Sequence, residues 1–335
     1  MSPHSPSRRH FVSTALAGLP ALGLGSSPAQ ETPAPPAALP FRQPFVYRFK
    51  IGSMEAWSIS DCDFGFRDGL NLMHPESARG AMRDAMIRHG ESLDSLPLYV
   101  NLLVVRHGQE IALFDSGFGV GKNPRMGWLQ EGLALIGVAP EQVTAGFLSH
   151  AHADHLNGFV RAGKPAFPNA LIYLLPEELA FWRAAEPDFS KSKRDPGGIP
   201  GMIREVRTHF DMLTPQLRPV PGGTVLFGGK VTVEAAPGHT AGHACFRIRS
   251  EGEELLHLMD VAHHHLLMFA QPEWNIAFDH DPETAIRSRQ KYWVEAAAGH
   301  TRCYGFHLPW PGLGHVVRRG LEEYGWWPER WQWNA

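Results

Sequence analysis

A short apolar run over residues 145–149 leads straight into His150-Ala151-His152-Ala153-Asp154-His155, and this segment constrains the fold of the 335-residue chain more than any other. Four side chains able to bind a metal follow a strand within six residues. On extended backbone, positions two apart point to the same side, so His150 and His152 can converge on one ion. A turn after them can aim Asp154 and His155 at a neighbouring site, and the small Ala151 and Ala153 leave room. Imidazole and carboxylate ligands suit zinc and similar borderline ions. Six residues cannot complete two coordination shells, so later loops must reach the same place. His239 fits, in Pro237-Gly238-His239-Thr240 after the alternating run 230–236. Asp260 follows the strand pattern 253–259, and His307 follows 302–306.

The remainder reads as strands alternating with helices. Runs 45–51 and 54–60 form a hairpin around Gly52-Ser53, and 98–106 and 110–114 form a second around His107-Gly108. Residues 171–175 and 243–249 are further strands. Helical spacing of apolar residues occurs over 75–90, 140–143, 176–185, 200–213 and 282–298, several of them opened by proline, which suits the first helical turn. The spacing in 282–298 predicts that Ile286, Tyr292, Trp293 and Val294 face inward, with Asp281 as N-cap. The strands fall into two groups, before about residue 175 and after about residue 217, with no linker between them. One α/β domain over residues 45–335 is expected, built of two packed sheets covered by helices.

Composition excludes several classes. Lys and Arg number 31 against 34 Asp and Glu, a formal charge of −3, so the basic footprint of a nucleic-acid or anionic-membrane binder is missing. Three cysteines without a Cys-x-x-Cys pair argue against a disulfide scaffold or a cysteine zinc module, and Cys245 and Cys303 read as buried, inert thiols. Residues 1–29 read as an address. Arg8-Arg9 precede a mild apolar run over 11–24 that is too short to span a bilayer, and Ser27 and Ala29 suggest cleavage near Gln30. That order resembles a Tat-type export signal. Six prolines between residues 28 and 44 give the stretch 30–44 the character of an extended linker. A periplasmic or secreted protein with no stable membrane anchor is expected.

Taken in order, His-x-His-x-Asp-His, Pro-Gly-His-Thr, a strand-terminal Asp and a late strand-terminal His resemble the metallo-β-lactamase superfamily over residues 98–310, and Phe114-Asp115-Ser116-Gly117 resembles its early Asp-x-Gly element. The resemblance implies an αββα sandwich of two mixed sheets flanked by helices. It places His150, His152 and His239 on one metal, Asp154, His155 and His307 on another, and Asp260 between both. Residues 166–170, Phe181-Trp182 and the stretch 307–315 resemble methyl parathion hydrolase-like members, which would make Trp182 a wall of the leaving-group pocket. Asp260 disfavours a true β-lactamase, and His152, where flavin-linked di-iron relatives carry Glu, disfavours redox chemistry.

The expected activity is that of a binuclear metal-dependent hydrolase. A hydroxide bridging two divalent ions, zinc first, with manganese, cobalt or iron admissible, would attack an ester-like centre. Asp260 and Asp154 are the expected catalytic carboxylates. Trp182, Phe118, His263 and Trp310 are candidate pocket residues, with Phe269 and Trp274 as further apolar candidates. His263 stands one helical turn from Asp260, whereas His264 and His265 read as loop residues, His243 as a strand histidine and Asp115 as a loop anchor. Aromatic side chains and only seven lysines point to a small neutral organic lactone or aryl ester, with a phosphotriester as a further option. The alternatives are a glyoxalase II-type thioesterase and a non-catalytic periplasmic metal-binding protein. The tryptophans at 326, 327, 331 and 333 leave a homodimer open.

Overall fold

Two sheets of seven strands each lie face to face, and in each sheet the strands follow one another in chain order. The computed structural model describes residues 45–121, 123–321 and 323–332, so the expected export signal and proline-rich linker lie outside the described residues. The first sheet comprises β1 (Val46–Ile51), β2 (Met54–Ser60), β3 (Asn101–His107), β4 (Glu110–Phe114), β5 (Ala145–Phe147), β6 (Leu171–Leu174) and β7 (Leu217–Pro219). It is antiparallel through β4 and parallel from β4 to β7. The second comprises β8 (Val225–Leu226), β9 (Val231–Ala235), β10 (Ala244–Ser250), β11 (Glu253–His257), β12 (Arg302–Tyr304), β13 (Leu313–Arg318) and β14 (Tyr324–Pro328). Only β11 and β12 pair in parallel there.

The two expected hairpins form. Ile51 pairs with Met54 across a turn in which Gly52 takes φ +55°, and His107 pairs with Glu110. The second hairpin begins later than expected. Residues 95–98 leave the sheet to pair with Phe64–Arg67, and β3 starts at Asn101. Residues 101–105 and 111–114 are buried throughout, as continuous apolar strands covered on both faces should be. Phe114, Phe147 and Phe246 fill the space between the sheets, with ring centroids 4.9–5.5 Å apart. The Tyr304 hydroxyl meets the Ser58 hydroxyl at 2.6 Å in the same interior, so its polar end is satisfied. The three cysteines are buried and unpaired, and burial pushes the Cys303 thiol up to about 12.

Helices flank this pair of mixed sheets. They are α1 (Arg79–Arg88), α2 (Leu129–Leu135), α3 (Ala153–Leu156), α4 (Pro176–Arg183), α5 (Ile199–Leu213), α6 (Leu267–Ala270) and α7 (Pro282–Ala298). Residues 140–142 make only one 3₁₀ turn. In α7 the Asp281 carboxylate accepts from the Thr284 N–H at 3.1 Å, the expected cap. Val294 does not face inward: it is exposed, and Arg289, four residues from Trp293, lies buried instead. Its guanidinium donates to the carbonyls of Val261, Pro272 and Trp274. Among the described residues no helix is long and apolar enough to cross a membrane.

Strand direction decides where the ligand-bearing loops emerge. Because β9 and β11 each run antiparallel to β10, and β11 runs parallel to β12, the carboxyl ends of β9, β11 and β12 share one edge. Truncating Phe246 to alanine should open a cavity between the sheets and cost about 3–5 kcal/mol. The check is a lower denaturant midpoint with metal content per folded chain unaltered.

Candidate metal centre

Five of the seven expected ligands follow the ends of strands, and the other two, Asp154 and His155, come from the short helix after β5. After β5 the chain stays extended to His152, the residue before α3, at φ −70° and ψ 159°. His150 and His152 therefore point the same way, and α3 then presents Asp154 and His155. His239 lies in the β9–β10 loop, Asp260 in the turn after β11 and His307 just beyond β12. Ligand atoms of His150, His152, His239 and Asp260 all lie within 4.8 Å of one another, as do those of Asp154, His155 and His307. Asp260 faces both groups. Its Oδ2 is 3.2 Å from His239 Nε2 and 3.1 Å from His307 Nε2, and its Oδ1 is 3.3 Å from His155 Nε2. The structure brings all seven together, and Asp260 and His307 also lie with His263 in a third group of the same kind.

Each ring is oriented from behind. His155 Nδ1 sits 2.7 Å from Asp115 Oδ2, His239 Nδ1 2.8 Å from Asp279 Oδ1, His307 Nδ1 2.7 Å from the Tyr99 carbonyl and His150 Nδ1 2.9 Å from Ser149 Oγ. A proton held on Nδ1 by an acceptor leaves Nε2 as the lone pair toward the centre. His152 is turned the other way. Its Nδ1 lies 2.8 Å from His150 Nε2 and 2.9 Å from His239 Nε2, while its Nε2 faces outward. His155 Nε2 and Asp260 Oδ1 are buried without hydrogen-bond partners, and unpaired polar atoms converging in this way fit a cation. The donor set, five imidazoles and two carboxylates, is that of two zinc-like ions.

Electrostatics agree. Burial, reinforced by nearby cationic groups, pulls the His150 and His152 imidazoles well below their usual range, which keeps them neutral and able to ligate. Burial would raise the Asp260 carboxyl, but the imidazoles of His155, His307, His150 and His239 outweigh it and hold it well below the carboxylate range. Burial of His155 is outweighed in turn by the carboxylates of Asp260, Asp154 and Asp115, which raise it.

Two ligand loops are tied together by a residue the sequence reading passed over. The fully buried Glu178 accepts from the Ala151 N–H and Trp182 Nε1 on one oxygen, at 2.8 and 2.7 Å. Its other oxygen accepts from Thr240 Oγ1 and the Gly242 N–H, at 2.5 and 3.0 Å. The glycines of the second loop are required. A Cβ at Gly242 would stand 2.1 Å from the Glu178 nitrogen, and Gly238, at φ +125°, would bring one to 2.0 Å from the Ala285 nitrogen. Asp115 anchors its loop as expected, accepting from the Ser149 N–H at 2.8 Å, and also orients His155. His243 does more than satisfy a strand. With Nδ1 on the Ala236 carbonyl, its Nε2 accepts the Asp260 N–H at 3.0 Å and sets the bridging carboxylate.

A cavity of about 300 Å³ opens over the ligands. Phe64, Phe66, Phe118, Met126, Met202 and Phe278 give it apolar walls. Phe118 and His263 line it as expected, and His263 Nε2 lies 3.1 Å from Asp260 Oδ2. Trp182 and Trp310 do not line it. Trp182 is fully buried, pinned by Glu178, and packs edge-on behind His152, so it supports a ligand instead of forming a pocket wall. Trp310, three residues after His307, is half-buried away from the cavity lining. Phe269 and Trp274 belong to the core around α7. His264 is buried rather than exposed, its Nδ1 accepting from the Leu266 and Leu267 N–H groups, and His265 pairs with Glu91 at 3.1 Å. Arg194, from the loop between α4 and α5, also lines the cavity, where no arginine was expected. Burial lowers its guanidinium to about 10, against the charges of Asp154, Asp279 and Asp260, so it stays cationic.

Replacing Asp279 by asparagine should release His239 from its orienting carboxylate and weaken metal affinity about 10–100-fold. Competition against a chelator of known affinity, with an unshifted melting curve for the metal-free chain, reads that loss directly.

Comparison with known proteins agrees with this site. The sequence profile of the metallo-β-lactamase superfamily matches residues 96–290. No curated protein sequence matches the chain. Among solved structures it is similar to AidC, a dizinc quorum-quenching lactonase in complex with a product, N-hexanoyl-L-homoserine, at 28% identity and a TM-score of 0.81, covering 86% of this chain and 98% of that one. It shares its fold with the hydrolase AbOPH, at 24% identity and a TM-score of 0.79, over 87% and 100% of the two chains. It does so too with a probable metal-dependent hydrolase from Staphylococcus aureus, at 18% identity and a TM-score of 0.62, over 82% and 100%. With its αββα frame, its convergent His and Asp side chains and the matched profile, the chain belongs to the metallo-β-lactamase superfamily and is a metal-dependent hydrolase.

Proposed function

We propose that the protein is a lactone hydrolase that holds two zinc ions. His150, His152 and His239 would bind one, Asp154, His155 and His307 the other, and Asp260 both. The observation that carries the reading is the convergence of these seven side chains beneath a largely apolar cavity that five of them line. The likeness to a dizinc lactonase at 28% identity supports a lactone ahead of other esters. Divalent ions held there supply Lewis-acid polarisation of the ester oxygen and a water acidified toward neutral pH.

The chain's own groups do the rest. Asp260, facing both ligand groups, accepts the proton of the attacking water as its oxygen bonds to the acyl carbon. His263 has Nε2 3.1 Å from Asp260 Oδ2 and a buried Nδ1 without a partner, and it is kept neutral by burial, which lowers it to about 4. It stands between Asp260 and the cavity, placed to pass that proton to the leaving oxygen as the carbon–oxygen bond breaks. Asp154, the least buried of the seven, fixes the position of the second group at the cavity mouth. The aromatic walls exclude water and accept an apolar chain. They also suit an aryl phosphotriester, the substrate class of the methyl parathion hydrolase-like members, which stands as the second reading. We also propose that residues 1–29 direct export and are removed, which leaves residues 45–335 as one hydrolase domain outside the cytoplasm.

The test loads the purified chain with zinc and assays acyl-substituted lactones, aryl esters, aryl phosphotriesters and acyl thioesters. About two metals per chain, fastest turnover on a lactone, and a loss of at least about 10³-fold in kcat for Asp260→Asn are expected. Fastest turnover on the thioester or the phosphotriester would replace the lactone reading. No turnover in a metal-loaded chain would leave a binding protein.

A further inference from the structure

Four of the five candidate ligand imidazoles have an oxygen acceptor behind the ring, and His152 does not. Its Nδ1 faces inward, 2.8 Å from His150 Nε2 and 2.9 Å from His239 Nε2. A ring that offers its Nδ1 lone pair carries its proton on Nε2, so Nε2 must donate. Two side chains stand within reach of that nitrogen, Arg194 with Nη2 at 2.8 Å and His280 with Nε2 at 3.3 Å. A guanidinium only donates, so Arg194 cannot take the proton. Of the two, only the imidazole of His280 can supply a lone pair.

The place of His280 in the fold suits that contact. It follows Asp279, whose carboxylate orients His239, and its own N–H donates to the His239 carbonyl at 3.1 Å. The next N–H, of Asp281, donates to the Gly238 carbonyl at 2.9 Å. The turn before α7 is thereby fixed to the His239 loop. The His280 side chain is only 5% exposed. The rings of Phe181, Trp182 and Phe189 pack on it, with centroids 5.1, 5.6 and 4.5 Å away. Its Nδ1 is buried and has no hydrogen-bond partner among the described residues, so Nε2 is the ring nitrogen with a polar neighbour. Nothing beside Nδ1 dictates the tautomer of His280, and the donor at His152 does.

We propose that His280 is a positioning residue of the metal centre: its Nε2 accepts the Nε2–H of His152 and so fixes the tautomer and the angle at which His152 offers Nδ1. Resting on the two-zinc reading, the inference makes one turn the brace of two ligands of the same group, His239 through the Asp279 carboxylate and His152 through the His280 ring. Without its acceptor, the His152 ring is free to turn or to hold its proton on the ligating nitrogen, and either weakens its hold on an ion. His280 does not line the cavity, so substrate contacts do not enter.

The test titrates zinc into the wild-type chain, His280→Phe and His280→Gln against a chelator of known affinity. Phenylalanine keeps an aromatic ring against Phe181 and Phe189 and removes the acceptor, whereas glutamine returns an amide oxygen near the place of Nε2. His280→Phe should lose about 10–100-fold in affinity for one of the two ions and little for the other, and His280→Gln should recover part of the loss. Nitrogen NMR of the histidine rings in the zinc-loaded wild type gives a reading that packing alone would not move. His280 should carry its proton on Nδ1 and leave Nε2 bare, and His152 should carry its proton on Nε2. This measurement uses the wild type alone, so it decides the question even if His280→Phe fails to fold. A His280 ring protonated on Nε2 would overturn the proposal, since it too would then donate. Zinc affinities equal across the three proteins would do the same, and are the result expected if cavity water is the acceptor. A wild type that binds no zinc would instead overturn the two-zinc reading, and this inference with it.

Discussion

The buried carboxylate of Asp260 is the interaction on which the rest of the site depends. An isolated buried charge is very costly in a protein interior. Asp260 is tolerated because His155, His307, His150 and His239 surround it. Such a cluster stays ordered only if every ring is held in one orientation and one tautomer. That work falls to groups outside it, the carboxylates of Asp115 and Asp279, the Tyr99 carbonyl and the Ser149 hydroxyl. His243, itself fixed by the Ala236 carbonyl, holds the Asp260 backbone.

Glu178 extends the same logic to the loops. Burial pushes its carboxyl up, and four donors oppose that by binding the charged form. Those donors come from the His150–His155 segment, from α4 and from the loop of His239. One carboxylate thus sets the distance between two loops that carry five of the seven candidate ligands. The strict glycines at 238 and 242 follow from the same packing, since side chains there would push the loop off α7 and off Glu178.

Much of this was legible before any coordinates. The ligands were readable because they follow strands at fixed offsets, and strands betray themselves by alternation and by apolar runs. The supporting groups were not, since Glu178, Asp279 and Arg289 lie on helices or turns where a charged residue ordinarily faces water. Val294 was misplaced for the converse reason: a valine at helical spacing looks like core, yet α7 turns its arginine inward because three carbonyls await it. Trp182 was assigned to the cavity by resemblance, and its indole N–H bond to Glu178 takes it behind His152. Arg194 sits in a loop without periodicity, so nothing local marks it as a cavity residue.

By itself the amino-acid sequence marked the alternation of strands and helices and the candidate ligands that follow strands, because backbone periodicity dictates which way strand-end residues point, and the resemblance to a known family supplied their division into two groups. Only the tertiary structure decided which ring nitrogen each histidine turns inward, which distant carboxylates hold those rings, and what else faces the substrate cavity. Those outcomes depend on segments far apart in the chain meeting at hydrogen-bond distance, and that meeting is set by how two sheets pack, which no local pattern encodes.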